Sequence, residues 1–376
     1  MSALYIHIPF CTSKCPYCSF VSYPNLSEQH QKEYVRALKL ELGFLAAGNG
    51  FSDFDSVFLG GGTPTSLKCD LLLELLQFCY DGFPISDTAE ISVEANPGTV
   101  DRRYLDSLRG VGVNRISFGV QSLCDEELVV LGRRSSSLEA KEAIEQARSA
   151  GFENLSIDLM YGIPGQNVHS WRQSLQQIIS MRPDHLSCYQ LTFEEGTPYA
   201  HLLSTGALQQ VGEEEIEAMD TLTEQLCRVA GLNHYEISNY ARPGRECRHN
   251  INYWRNSEYY AVGAGAVSCI GGRRERREEN SFEYCRLMNT TGNAIIDSEF
   301  LGKEASFRET VVMGLRMRAG VCREDLVQRY GLDLQNYYGK TLQTLVDNGF
   351  VELTDTHLRL SNRGRRLANS IMAELV

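Results

Sequence analysis

Three of the chain's 12 cysteines fall in one short run, Cys11-Thr12-Ser13-Lys14-Cys15-Pro16-Tyr17-Cys18, with the spacing C-x3-C-x2-C. Cysteine thiolates are the usual protein ligands of iron–sulfur clusters, and three on one loop can hold three corners of a four-iron cube. The fourth iron is then open to a small molecule. Ferredoxin spacings differ because they bring four cysteines. A zinc ion would want a fourth Cys or His close by, for which His7 is the nearest candidate. Plain thiols are the third reading. Cys79, Cys188 and Cys227 sit singly among apolar neighbours and read as small buried hydrophobes.

Other polar and glycine-rich runs could complete a site. In Gly60-Gly61-Gly62-Thr63-Pro64-Thr65, backbone without side chains can approach a ligand closely and offer its amides. Glu94, within Val93-Glu94-Ala95-Asn96-Pro97-Gly98, is an acid suited to a ribose hydroxyl or an amine. Gln121, Arg133 and Asp158 are further polar groups that singly read better as turn or salt-bridge residues. Farther along, Glu246-Cys247-Arg248-His249-Asn250-Ile251-Asn252-Tyr253-Trp254 joins a histidine to two aromatics. On residues alone this is a histidine inside an aromatic core.

The elements that must position these groups alternate. β-branched or alternating runs at residues 4–8, 56–59, 90–94, 115–120, 156–160 and 185–191 read as strands, with a seventh at 234–238. Between them lie helical patterns. Tyr34, Leu38, Leu42 and Leu45 share one helical face, and residues 71–80, 138–150, 170–181 and 213–229 read as further helices. Strands alternating with helices predict a parallel sheet with right-handed crossovers. Six or so units make a complete or partly open barrel, whose chemistry belongs at the carboxyl ends of the strands. Cys11 follows the first strand, Gly60–Thr63 the second, Glu94 ends the third, Gln121 follows the fourth, and Asp158 lies near the end of the fifth.

After residue 240 the pattern changes, and residues 241–272 give few periodic signals. From about Ser306 helices return, at 323–330 and 334–348, then a hairpin from 351–353 and 358–360, then a closing helix at 363–375. Helices followed by a two-stranded wing resemble a winged-helix module. This gives three units, at 1–240, 241–304 and 305–376. The net charge of −12 disfavours nucleic acid, so packing or docking suits the last unit better. The densest basic run, Arg273 to Arg277, is followed by Glu278 and Glu279 and reads as a solvated loop. No run is long and apolar enough for a membrane span, and Met1-Ser2-Ala3-Leu4-Tyr5 does not look like a signal peptide, so a cytoplasmic location is expected.

The cysteine run, with the aromatic Tyr17 before its third ligand, resembles the radical S-adenosylmethionine (SAM) superfamily. The likeness continues through Tyr5-Ile6-His7-Ile8-Pro9-Phe10-Cys11, Gly61-Gly62-Thr63-Pro64, Glu94-Ala95-Asn96-Pro97, Arg115-Ile116-Ser117-Phe118-Gly119-Val120-Gln121, Asp158-Leu159-Met160-Tyr161-Gly162-Ile163-Pro164-Gly165 and Gly263-Ala264-Gly265-Ala266. These runs, spread over nearly the whole chain, resemble the anaerobic coproporphyrinogen III oxidase-like family. That resemblance implies an α/β fold: a partial (β/α)6-type radical SAM barrel, an α+β extension and a C-terminal winged-helix-like module. It implies a [4Fe-4S] cluster on Cys11, Cys15 and Cys18. By the same likeness SAM lies against Tyr5, Tyr17, Gly61, Gly62, Thr63, Glu94, Gln121, Arg133 and Asp158. The family contains oxidases, which decarboxylate coproporphyrinogen III, and haem chaperones. Oxidases carry a further cysteine two residues after the third ligand, where this chain has Phe20, and the chaperones carry the signature H-N-x-x-Y-W, matched by His249 to Trp254. The expectation is therefore a haem chaperone, with haem against His249, Tyr253 and Trp254. An oxygen-independent oxidase is the alternative, and a tailoring enzyme on an unrelated substrate a third reading. Implied partners are haem, a haem-acceptor protein and a small electron-donor protein, and a haem-linked homodimer is compatible with the family.

Overall fold

The computed structural model describes residues 2–48 and 53–376; Met1, with which the leader reading begins, lies outside them. Twelve strands form one sheet: β1 (Ser2–Ile8), β2 (Phe54–Gly61), β3 (Ile85–Ala95), β4 (Arg115–Gln121), β5 (Asn154–Tyr161), β6 (His185–Gln190), β7 (Asn233–His234), β8 (Asn239–Ala241), β9 (Tyr259–Val262), β10 (Val267–Ile270), β11 (Arg273–Arg277) and β12 (Ile295–Phe300). Their spatial order is β12-β11-β10-β9-β1-β2-β3-β4-β5-β6-β8-β7. From β1 to β6 every neighbouring pair is parallel and follows chain order. Right-handed crossovers that always step the same way put the helices connecting these strands on one face. The sheet curls around the other face, as a barrel left open.

The helices form for ordinary reasons. Cys69–Gly82 buries Leu71, Leu72, Leu75, Leu76 and Cys79 on one stripe. Ser136 and Glu139 make a reciprocal cap at the start of Ser137–Ser149. In Val168–Ser180 the fully buried Trp171 donates its indole N–H to Thr223 Oγ1 at 2.9 Å, tying that helix to Glu213–Val229. Cys79, Cys188 and Cys227 are all buried, as expected.

Three expectations give way. Of residues 234–238 only His234 is in a strand, as the end of β7; residues 235–238 are the turn to β8, closed by Asn239 N–H on Glu236 O. The stretch after residue 240 has regular structure: β9 lies parallel to β1 on its free edge, and β10 to β12 continue the sheet antiparallel. The basic run Arg273 to Arg277 is β11 itself. Strand alternation turns Arg277 inward, where its guanidinium meets Glu41 at 2.9 Å with both side chains largely buried.

The C-terminal module has a separate core that includes Phe307, Val311, Leu326, Leu345 and Leu358. Its sheet joins β13 (Val321–Cys322), β14 (Val351–Leu353) and β15 (His357–Leu360) in the order β13-β15-β14. The single helix expected at 334–348 is broken at Gly339, whose φ of 48° and ψ of −116° interrupt it. The closing helix is likewise split into Asn362–Arg365 and Ala368–Ala373.

An antiparallel bridge between Glu236 and Met317 joins the barrel to this module. Glu236 is fully buried, and loss of water pushes its carboxyl up to about 7, Asn239 and nearby amides offsetting part of the rise. An unfolded glutamate titrates near 4.3. Below that value both states hold the proton and nothing is lost. Between that value and about 7 the unfolded chain sheds its proton while the folded state still holds one, so stability falls by roughly 4 kcal/mol across that window. Glu236→Gln should flatten this decline in a denaturant series from pH 4.5 to 8. An unchanged pH profile would show that Glu236 does not titrate there.

Candidate cluster and cofactor site

The cysteine loop is closed at its base. Phe10–Cys11 pairs with Tyr23–Pro24, and Tyr23 N–H donates to Pro9 O at 2.7 Å. All three cysteines are free and partly exposed. Burial raises the Cys11 and Cys18 thiols, offset in part by Thr63 for Cys11 and by the Phe20 amide for Cys18, and the other cysteines of the loop add to the rise, so the sulfurs sit within electrostatic reach of one another. Among the described residues, no three His, Cys, Asp or Glu side chains converge on a point that one metal ion could occupy. A cube needs its thiolates at separate corners. His7 does not serve as a fourth ligand, because both ring nitrogens are engaged: Nδ1 with Tyr5 Oη and Nε2 with Val21 O, each at 2.9 Å. It pins the loop to β1.

The glycine run backs directly onto this loop. Gly62 N–H donates to Ile8 O at 2.9 Å, Thr63 N–H to Phe10 O at 2.7 Å, and Gly61 N–H to Glu94 Oε2 at 3.1 Å. These amides are used internally, contrary to the expectation that they face a ligand. The glycines serve close approach instead. A Cβ on Gly62 would stand 2.6 Å from Phe10 O, and Gly61 has a φ of 113°. Thr63 Oγ1 accepts from Asn96 Nδ2 at 2.9 Å and lies 3.8 Å from Cys11 Sγ.

Arg133 gathers the next layer. It donates to Asn96 Oδ1 at 2.6 Å and to Gly119 O, and its other nitrogen reaches Cys15 Sγ at 3.8 Å. Gly119 leaves the space for this: a Cβ there would lie 2.8 Å from Asn96 Oδ1 and 3.2 Å from Gln121 Nε2. Gln121 itself has a φ of 70°, a left-handed conformation uncommon outside glycine. Its Oε1 is buried with no partner. Such strain is retained where surrounding structure enforces it, commonly at ligand sites.

Two acids face the barrel interior. Burial first, and then Asp158, push Glu94 up to about 7, with the Gly61 amide and Arg115 offsetting part. Burial also raises Asp158, against the pull of Ser187, Arg115, Ser117 and Arg133, and Ser117 Oγ donates to it at 3.1 Å. Tyr17 packs near Tyr199, whose N–H donates to Pro16 O. The structure thus brings Cys11, Cys15, Cys18, Tyr17, Gly61, Gly62, Thr63, Glu94, Gln121, Arg133 and Asp158 to the carboxyl ends of β1 to β5, with Tyr5 deeper along β1. A three-thiol loop, a close-approach cradle, an unpaired amide oxygen and two half-buried acids fit a cluster with a small cationic, hydroxyl-bearing ligand. Sequence reasoning assigned no role to Asn96 or Ser117. Their signal is a polar side chain on a strand or at its end.

The His249 run lies elsewhere. It forms the helix Arg248–Trp254, at the opposite end of the strands, where Glu90 Oε1 accepts from Arg248 N–H at 3.1 Å. His249 is 2% exposed, stacks on Phe58 at 4.9 Å, and pairs Nδ1 with Ser56 Oγ at 3.1 Å. Burial, then Arg115, lowers its pKa to about 3, so the ring stays neutral. Tyr253 meets it edge-on, whereas Trp254 lies under Arg316, 5.3 Å from the ring centre. His249 and Trp254 do not share one face.

The radical SAM superfamily model matches residues 5–178, and the HemN C-terminal domain model matches residues 301–367. The heme chaperone HemW of Bacillus subtilis is 35% identical over 372 residues, covering 99% of this chain and 98% of that protein. The heme chaperone HemW of Escherichia coli is 40% identical over 267 residues, 70% of this chain and 69% of the relative. The structure of the coproporphyrinogen III oxidase HemN from Escherichia coli, described as a radical SAM enzyme, superposes with a TM-score of 0.87 at 23% identity, covering 100% of this chain and 89% of that one. That likeness establishes the shared α/β fold. No helix among the described residues is long and apolar enough to cross a membrane.

Proposed function

The chain belongs to the HemW heme-chaperone family of the radical SAM superfamily, and on that premise we propose that it binds haem and delivers it to acceptor proteins. The observation that carries the reading is kinship to haem chaperones along essentially the whole chain. Phe20 agrees with it: the residue is 66% exposed beside the cluster loop and offers no thiol where oxidases have one.

In this reading Cys11, Cys15 and Cys18 hold a [4Fe-4S] cluster, and SAM fills the open position. When bound, these groups supply one-electron chemistry. The chain's residues orient and shield them. Arg133 places positive charge beside the Cys15 sulfur, Thr63 steadies Cys11, and Glu94 and Asp158 receive a cation or hydroxyls. A small electron-donor protein reduces the cluster, and an acceptor protein takes the haem.

The test is an anaerobic reaction of reconstituted protein with reductant, SAM and coproporphyrinogen III, read by mass spectrometry, beside a haemin titration read by absorbance. The expected outcome is unchanged porphyrinogen, with the cluster intact, and saturable haemin binding. Loss of two carboxyl groups from the porphyrinogen would make the protein an oxidase.

A further inference from the structure

Asn96 follows the last residue of β3 at the mouth of the barrel and is half-buried there. Its backbone is clamped by one neighbour. The Asn96 N–H donates to Thr99 Oγ1 at 3.2 Å, and the Asn96 carbonyl accepts from the Thr99 N–H at 3.0 Å and the Thr99 hydroxyl at 2.8 Å. Thr99 Oγ1 is tied in turn to Thr65 Oγ1, 2.6 Å away in the run that follows β2. A backbone held in this way limits where the short side chain can reach.

That side chain spans two others. A guanidinium has donors and no acceptor, so the atom that Arg133 meets at 2.6 Å has to be the amide oxygen. The amide NH2 is then turned to Thr63 Oγ1, at 2.9 Å. Thr63 Oγ1 accepts there and keeps its own proton free. A cysteine sulfur bound to iron is a thiolate and can only accept, so in the 3.8 Å contact of Thr63 Oγ1 with Cys11 Sγ the hydroxyl is the donor. On the other side, Asn96 Oδ1 and Gly119 O together hold one nitrogen of Arg133, and its second terminal nitrogen faces Cys15 Sγ at 3.8 Å. One amide aims two donors at two sulfurs of the cysteine loop.

We propose that Asn96 is a positioning residue for the iron–sulfur site, raising the reduction potential there by holding Thr63 and Arg133 as donors to the sulfurs of Cys11 and Cys15. The assignment rests on the cluster reading above and adds to it what sets the electron affinity. Hydrogen bonds to the sulfurs are one of the levers a protein has on the potential of an iron–sulfur cluster. Charge gives the direction. Reduction adds an electron to a centre already carrying three thiolates, and donors aimed at those sulfurs stabilise the reduced state more than the oxidised one. Neither donor aims itself. A threonine hydroxyl without a second bond turns freely, and the guanidinium would lose one of the two oxygens that hold it.

The test uses the full-length protein, reconstituted anaerobically without SAM, its iron counted and its midpoint potential read by a redox titration followed by electron paramagnetic resonance. Asn96→Ala should keep four irons per chain and shift the one-electron equilibrium about tenfold toward the oxidised form, a fall of ~59 mV. Thr63→Val removes one donor and should shift it the same way by about threefold, whereas Thr63→Ser keeps the hydroxyl and should match wild type. Added to Asn96→Ala, Thr63→Val should change little further, because that hydroxyl is no longer aimed. A wild-type potential in Asn96→Ala with four irons bound would overturn the assignment and leave the cluster reading standing. Should Asn96→Ala not hold its iron, equal potentials in Thr63→Val and Thr63→Ser would overturn it in the same way. A wild-type chain that holds no four-iron cluster would overturn both.

Discussion

Cys15→Ala is expected to leave the chain without its cluster. In the proposed site three sulfurs on one loop are the whole protein ligand set, and two would not hold a cube against solvent and chelators. The loop is built around them: its base is closed by the Phe10–Cys11 and Tyr23–Pro24 pair, and His7 pins Val21. Cys15 is also the sulfur that Arg133 approaches, at 3.8 Å. After anaerobic reconstitution the variant should lack the broad visible absorbance and carry almost no iron, and SAM should bind far more weakly for want of the open iron. Cys124→Ala provides the comparison. That thiol lies off the loop, donating to Glu126 at 3.1 Å, and its loss should leave four irons per chain. Four irons retained by Cys15→Ala would show that these cysteines are not the ligands.

The part of this architecture readable in the sequence was the part encoded locally. Strands and helices of the barrel announce themselves by periods of two and 3.6, and chain order equals spatial order from β1 to β6. Residues just after strands therefore fall at one mouth, and Cys11, Gly61, Glu94, Gln121 and Asp158 do. What stayed hidden depends on partners distant in sequence. Nothing near Arg277 reveals that its partner is Glu41 on the first helix, so five residues containing four arginines read as solvated. The backbone of Gln121 is set by its surroundings, since glutamine has no preference for a positive φ. The glycine run reads as a set of free amides because sequence cannot say that Ile8, Phe10 and Glu94 already accept from them. His249 and Trp254 are close in sequence, yet a seven-residue helix turns one into the barrel and the other toward the C-terminal module.

Glu41→Ala is expected to cost about 3–5 kcal/mol, the range for breaking a buried ion pair by removing one partner. Against a typical stability of about 5–15 kcal/mol this is a large share. Glu41 accepts from Arg277 Nε at 2.9 Å, Tyr284 Oη at 2.6 Å and the Gly263 N–H at 2.9 Å. Four segments meet on one carboxylate: the helix Glu28–Ala47, β11, the helix Ser281–Thr291 and the turn after β9. Alanine strands all three donors. The reverse change, Arg277→Met, removes the cation but leaves Glu41 with Tyr284 and Gly263, so it should cost less. Pairing Glu41→Leu with Arg277→Met removes both charges and should recover part of the loss, but not all, because Tyr284 and Gly263 remain without their acceptor. Denaturant midpoints for the three variants, compared at equal slope, read these differences directly. The carboxylate ties the extension, through the turn after β9, β11 and the helix Ser281–Thr291, to the first helix of the barrel. A Glu41→Ala loss below about 1 kcal/mol, the worth of an exposed pair, would mean that burial of the pair contributes nothing and that the extension is held by its strand ladder alone.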